Sequence, residues 1–141
     1  MAAAGTVLGF DYGRRRIGIG VGQTVTRSAT PVATLLATAA GPDWTRLLAL
    51  VAEWRPTGLV VGVPYNADGT PHDLTLEVLA FASALGERTG LPVHTVDERL
   101  SSAEAQATLR EQRAAGRRRV AKADVDAAAA CVILNSWLER N

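Results

Sequence analysis

Three acids in this chain stand where they could do chemistry together. Asp11 lies near the end of an apolar run, in LGFDYGRRRIGIG over residues 8–20, with a glycine and three arginines close behind it. Glu98 follows a second apolar run, in VHTVDER over residues 93–99. Asp126 opens a stretch in which Ala129, Ala130, Ile133 and Trp137 recur at i+3, i+4, i+7 and i+11, the stripe of an amphipathic helix. That spacing turns Asp126 toward the core side, where a carboxylate needs a donor, a cation or a metal. Three converging oxygen donors suit hard cations such as Mg²⁺ or Mn²⁺. Two such ions about 4 Å apart stabilise the attacking and leaving oxygens of phosphodiester hydrolysis. Each acid has a plainer reading as well. Asp11 fits a turn, Glu98 a surface pair with an arginine, and Asp126 a first helical turn, where the macrodipole favours an acid. Asp124, rotated off the stripe, reads as the helix N-cap.

The elements that must position these acids follow from periodicity. Residues 6–12 form a strand, and residues 16–23 form a second that alternates Ile17, Ile19 and Val21 with glycine. The glycine face leaves room for close approach by another backbone or a ligand. Residues 29–36 make a third strand, with Pro31 marking an edge. Helical spacing takes over at 43–54, and 58–63 (GLVVGV) reads as a strand covered on both faces. A helix over 74–88 ends at Gly90 and Pro92, and 93–97 is a fifth strand. Ser101 and Glu104 form a capping box for a helix to about residue 112, and a last helix runs from about 125 to 139. The expected fold is a single α/β domain over 1–141. It has a mixed five-stranded sheet, three strands antiparallel and the later ones parallel, with helices packed on it. Asp11 and Glu98 then open onto one sheet edge if their strands are neighbours or one strand apart.

Charge is distributed unevenly. The net charge is +1, yet 14 of the 15 cations are arginines. They cluster at Arg14, Arg15 and Arg16 and again over 110–122, which includes Arg117, Arg118, Arg119 and Lys122. Such clusters are either solvated loops or phosphate-binding patches. Beside an acidic site the second reading explains the opening run: the acids hold metal and the arginines hold the polyanion. Arg99 next to Glu98 belongs with them. Tyr65 and Asn66, in the loop VGVPYNADGT over 61–70, form a substrate-facing lip or a tight connection.

Other chemistries find little support. The two histidines, His72 and His94, and the lone Cys131 make no zinc spacing. Cys131 sits among alanines and reads as packing. Neither a GxxxxGK[ST] loop nor a GxSxG elbow occurs. Composition is 48% hydrophobic and 21% charged, as in a soluble globular protein. Residues 1–5 lack the pattern of a signal peptide, no apolar run reaches the roughly 20 residues of a membrane span, and one cysteine forms no intrachain disulfide, so the cytoplasm is expected.

The stretches GFDYGRRRIGIGVGQ (9–23), VVGVPYNADGT (60–70), VDERLSSAEA (96–105) and KADVDAAAACVILNSWLE (122–139) occur in an order that spans almost the whole chain. Together they resemble the YqgF-type family of pre-16S rRNA nucleases, also described as Holliday-junction-resolvase-like proteins of the ribonuclease-H-like fold. The resemblance implies a cytoplasmic nuclease that uses Mg²⁺ or Mn²⁺ and matures the 5′ end of small-subunit ribosomal RNA. The acids it carries over are Asp11, Glu98 and Asp126; Asp97 and Asp124 stay open as a fourth. Where the family often has Thr-Lys this chain has Arg14-Arg15, and Tyr65 replaces a usual leucine. The partners implied are precursor rRNA or branched DNA, with no membrane, for a monomer or homodimer. The rivals are a junction-cutting DNA endonuclease, a non-catalytic RNA-binding ribosome-assembly factor and an ATP-handling phosphotransferase.

Overall fold

Alternation along the first strand assigns the two faces of the sheet. In β1 (Thr6–Tyr12), Leu8 and Phe10 are fully buried in one apolar cluster, and Val7 belongs to a second cluster on the opposite face. The computed structural model describes residues 5–98 and 122–140, with side chains from residue 127 onward in the second stretch. The remaining elements are β2 (Arg16–Gln23), β3 (Ser28–Thr38), β4 (Gly41–Pro42), α1 (Trp44–Trp54), β5 (Gly58–Val63), α2 (Thr75–Thr89), β6 (Val93–Asp97) and α3 (Lys122–Arg140).

The sheet order is β4-β3-β2-β1-β5-β6. β1, β2, β3 and β4 pair antiparallel, whereas β5 joins β1 and β6 joins β5 in parallel. The mixed sheet is as expected, but it has a sixth strand. Gly41 and Pro42 pair with Thr38 and Ala37 after a tight turn. Two residues carry no periodicity, so β4 leaves no trace in the pattern. Because β4 covers only the end of β3, Pro31 lies on an open edge, where its missing N–H costs no ladder bond.

Helix ends follow local chemistry. Asp43 caps α1, its Oδ1 accepting from Arg46 N at 3.2 Å. Gly90 ends α2 in the left-handed region with φ of 72°. α3 begins at Lys122, earlier than expected, so Asp124 lies inside the helix rather than at its N-cap. Lys122 and Ala123 are both good helix formers, which favours the extra turn. The expected helix over 101–112 lies outside the described residues.

One face of the sheet packs against α1 and α2 through Leu47, Val51, Val78, Phe81 and Leu85. The other carries α3 and is floored by glycine. A methyl group added at Gly9 would overlap Leu134 Cγ, and one at Gly20 would sit 3.0 Å from Cys131 Sγ. One at Gly62 would sit 2.5 Å from Ile133 Cδ1. The room that the glycine face leaves is taken by side chains of α3. Burial pushes the Cys131 thiol up to about 11, in keeping with a packing role.

Gly9→Ala is expected to cost about 1–3 kcal/mol by overpacking against Leu134. In a Leu134→Ala background the same change should cost measurably less, because the clash is relieved. Urea unfolding of the two single variants and the double variant, with unchanged m-values, checks this.

Candidate active site

Asp11 is the penultimate residue of β1 and Glu98 the first residue after β6. β5 stands between their strands, which are parallel to it, so both acids reach the same carboxyl edge. Register also gives them the same face. Asp11 shares parity with Val7 and Gly9, and Glu98 shares parity with Val96, all on the α3 side. Their side chains share a hydrogen bond. Between them on β5, Gly62 carries no side chain, and a methyl there would stand 2.9 Å from Glu98 Oε1. The glycine therefore lets Ile133 and the Glu98 carboxyl lie close against the β5 backbone.

Burial pushes the Glu98 carboxyl up. The hydrogen bond to Asp11 opposes that rise, the charge of Asp97 adds to it, and the charge of His72 opposes it. Asp97 has the parity of Val93 and Thr95, which face α2, so its strand position belongs to the sheet face opposite the pair.

Asp126 lies on α3, on the line through Ala130, Ile133 and Trp137. Ile133 packs at Gly62 and Trp137 packs on His94, so that line runs over β5 and β6 toward their carboxyl ends as it is followed back to residue 126. Asp126 stands two turns, about 10 Å, beyond Ile133. Its side chain, like those of Asp124 and Lys122, lies outside the described residues, as do Arg99, Arg117, Arg118 and Arg119. Among the described residues no three His, Cys, Asp or Glu side chains gather into a metal-binding group.

The loop after β5 borders the same edge. Asn66 donates through Nδ2 to Thr70 Oγ1 at 2.9 Å and to the Pro71 carbonyl at 3.1 Å, so both amide hydrogens are used within the loop. Tyr65 is half-buried and packs against the core. Thr75 Oγ1 donates to the Pro64 carbonyl and accepts from His72 N, tying both ends of the loop to α2. His72 Nδ1 accepts from Leu74 N at 3.1 Å, which fixes its ring near Glu98. His72 carries no signal in the sequence, because a lone histidine makes no zinc spacing.

The three arginines of the β1–β2 turn separate. Arg15 is exposed, and Arg16 starts β2 opposite Leu36. Arg14 Nε donates to Glu77 Oε1 at 3.1 Å, and the Tyr12 hydroxyl donates to Glu77 Oε2 at 2.7 Å. Glu77 had no signal in the sequence beyond an acid in a first helical turn. Burial and then the Glu77 bond push the Tyr12 hydroxyl up to about 12. Tyr12 in turn holds Glu77 below the usual carboxylate range, with Arg14 assisting.

A value raised on folding means that the native state keeps its proton longer. The stability contributed by Tyr12 is therefore complete below pH 10 and lost as pH rises to about 12. The lowered Glu77 contributes at neutral pH and loses its share as acid protonates it. Urea unfolding from neutral pH to about 12 should show an alkaline decline that is shallower in Tyr12→Phe.

The chain is similar to known proteins over nearly its whole length. A protein of Legionella pneumophila named "Putative pre-16S rRNA nuclease" is 46% identical over 137 residues, covering 97% of each chain. A protein of the same name from Pseudomonas putida is 46% identical over 143 residues, covering 100% of this chain and 99% of its own. Among solved structures, Thermus thermophilus RuvC in complex with a Holliday junction superposes with a TM-score of 0.57 at 16% identity, over 93% of this chain and 90% of that one. The yeast mitochondrial Holliday junction resolvase superposes with a TM-score of 0.56 at 10% identity, over 94% of this chain and 77% of that one. At such identities the likeness is one of fold, and the fold is the ribonuclease-H-like one that the resemblance implied. The family described as RuvX, Holliday junction resolvase, matches residues 5–140, and this chain belongs to it.

Proposed function

We propose that this protein is a metal-dependent nuclease that hydrolyses phosphodiester bonds in maturing the 5′ end of pre-16S rRNA, in the cytoplasm. The observation that carries this reading is the Asp11–Glu98 pair, two carboxyl groups in contact at the carboxyl edge of a parallel strand trio. Like charges at hydrogen-bond distance repel unless a proton or a cation lies between them. The all-oxygen donor set of the pair fits Mg²⁺ or Mn²⁺. The shared name of the full-length relatives supports the substrate.

In this mechanism Asp11 and Glu98 would hold the metal, and Asp126 would complete the set and orient the attacking water. A bound cation would supply Lewis-acid stabilisation of the charge that develops on the phosphate oxygens. Arg15 and Arg16, beside Asp11 in the chain, hold backbone phosphates without reading sequence. Arg99, Arg117, Arg118, Arg119 and Lys122 extend that positive surface. His72 lies on the loop beside Glu98 and borders the site. Tyr65 and Asn66 shape the loop that borders the site. The family description favours a second substrate, branched DNA, for which two copies of the chain would act together.

The test incubates the protein with a labelled precursor-rRNA 5′ fragment or a four-way DNA junction, in Mg²⁺, Mn²⁺ or chelator. Asp11→Asn should lower cleavage at least 100-fold, the scale on which lost electrostatic stabilisation is felt. Its melting temperature should equal or exceed the parent's, because the change removes a repelling charge and no core volume. Cleavage of the RNA alone supports maturation, and cleavage of the junction alone supports the second reading. Binding without metal-dependent cleavage would overturn the nuclease assignment in favour of an assembly factor.

A further inference from the structure

Across the sheet edge from the acid pair, on the α1 and α2 face, lies a cleft of about 380 Å³. It is lined by Tyr12, Arg14 and Glu77 and by the β3–β4 turn, residues 38–41. That volume falls within the range of small-ligand sites, about 300–1,000 Å³. Two features set it apart from an ordinary surface crevice. Arg14 is 62% exposed yet held at Nε by Glu77, so its two terminal amino groups remain unbonded among the described residues. Glu77 is itself fixed from the other side by Tyr12, whose ring packs on Phe81 with centroids 4.9 Å apart. A flexible cation is thus held by a carboxylate that is anchored to the core.

We propose that this cleft receives the nucleotide flanking the cut bond, that Arg14 holds its phosphate through the terminal amino groups, and that Glu77 positions Arg14 for it. The proposal rests on the nuclease reading, since Arg14 lies three residues from Asp11, at most about 10 Å along the chain. A strand lying on Asp11 and continuing over the β1–β2 turn meets the cleft next. Glu77 does not repel the phosphate strongly, because both its oxygens are engaged and Arg14 balances its charge. The planar guanidinium keeps its outer edge for bidentate contact with phosphate. The β3–β4 turn is held in shape by Ala40 N donating to Thr38 Oγ1 at 3.2 Å, and it forms the opposite wall.

The experiment uses the full chain, the labelled precursor-rRNA 5′ fragment, and the variants Arg14→Ala, Glu77→Ala and the double variant. Binding is measured in chelator over a range of salt, and cleavage is measured with Mg²⁺. Arg14→Ala should weaken binding about tenfold and reduce the salt slope by about 0.7, the value for one phosphate of a single strand. Glu77→Ala leaves the cation present but unheld, so KM should rise roughly twofold to tenfold while kcat changes less than KM. On the Arg14→Ala background, Glu77→Ala should add nothing to KM, which a merely structural role would not give. Parent-like affinity and salt slope in Arg14→Ala, with the parent cutting normally, would overturn the proposal and leave the nuclease reading intact. A parent chain that binds the fragment but never cuts it, together with the expected losses in the variants, would sink the nuclease reading and keep the cleft as a phosphate site. Additive effects of the two changes on KM would overturn the positioning role of Glu77.

Discussion

Close packing of α3 on a sheet face that glycines leave low is the constraint on which the site depends. Gly9, Gly20, Gly22 and Gly62 let Leu134, Leu138, Cys131 and Ile133 reach the strand backbone. Bulkier residues at these positions would lift the helix by the width of a side chain. The line of α3 through Ile133 and Trp137 would then no longer run along β5 and β6, and the position of Asp126 relative to the carboxyl edge would change. A stability feature and a catalytic one are thus the same feature. Buried apolar contacts hold the helix at the height at which an acid on its N-terminal turns can join two acids of the sheet.

A second constraint is the period of two along a strand. It sends Asp11 and Glu98 to one face of the sheet and Asp97 to the other, although Asp97 and Glu98 are adjacent in the chain. Adjacent acids therefore divide their roles by parity. Glu98 joins the pair, and the charge of Asp97 acts on it from the other face. The cost of bringing two carboxyl groups together in a partly buried place is offset by the cation proposed to sit there. That is the usual reason such clusters persist at sites rather than in cores.

The two faces also divide the work across the edge. The α3 side carries the acids. The α2 side carries Tyr12, Glu77 and Arg14, tied together across 65 residues of chain by the Tyr12–Glu77 bond. The β1–β2 turn passes from one to the other, which accounts for its arginines serving different ends. Arg14 is held by a carboxylate, while Arg15 and Arg16 enter no ion pair among the described residues. A cluster that looks uniform in the sequence is thus divided by what packs beside the turn, which gives Arg14 a carboxylate partner.

The strand and helix succession is legible in the residues alone, because apolar periods of two and 3.6 residues are local properties. β1, β2, β5 and β6 begin and end where their patterns do. The sequence also singled out Asp11 and Glu98, since an acid at the end of an apolar strand has a meaning that needs no partner to be noticed. The two-residue β4, which exists only through its pairing with β3, left no local mark. The N-terminal extension of α3 past Asp124 was hidden as well, because a good cap and a good helix interior compete there and periodicity does not choose. Tertiary structure alone decided that β5 lies between β1 and β6, that Asp97 faces away, and that Glu77 and His72 join the edge. These are facts of register and of long-range contact. A single sequence records which residues are apolar and which are charged, but not which of two distant charges a folded sheet will place side by side.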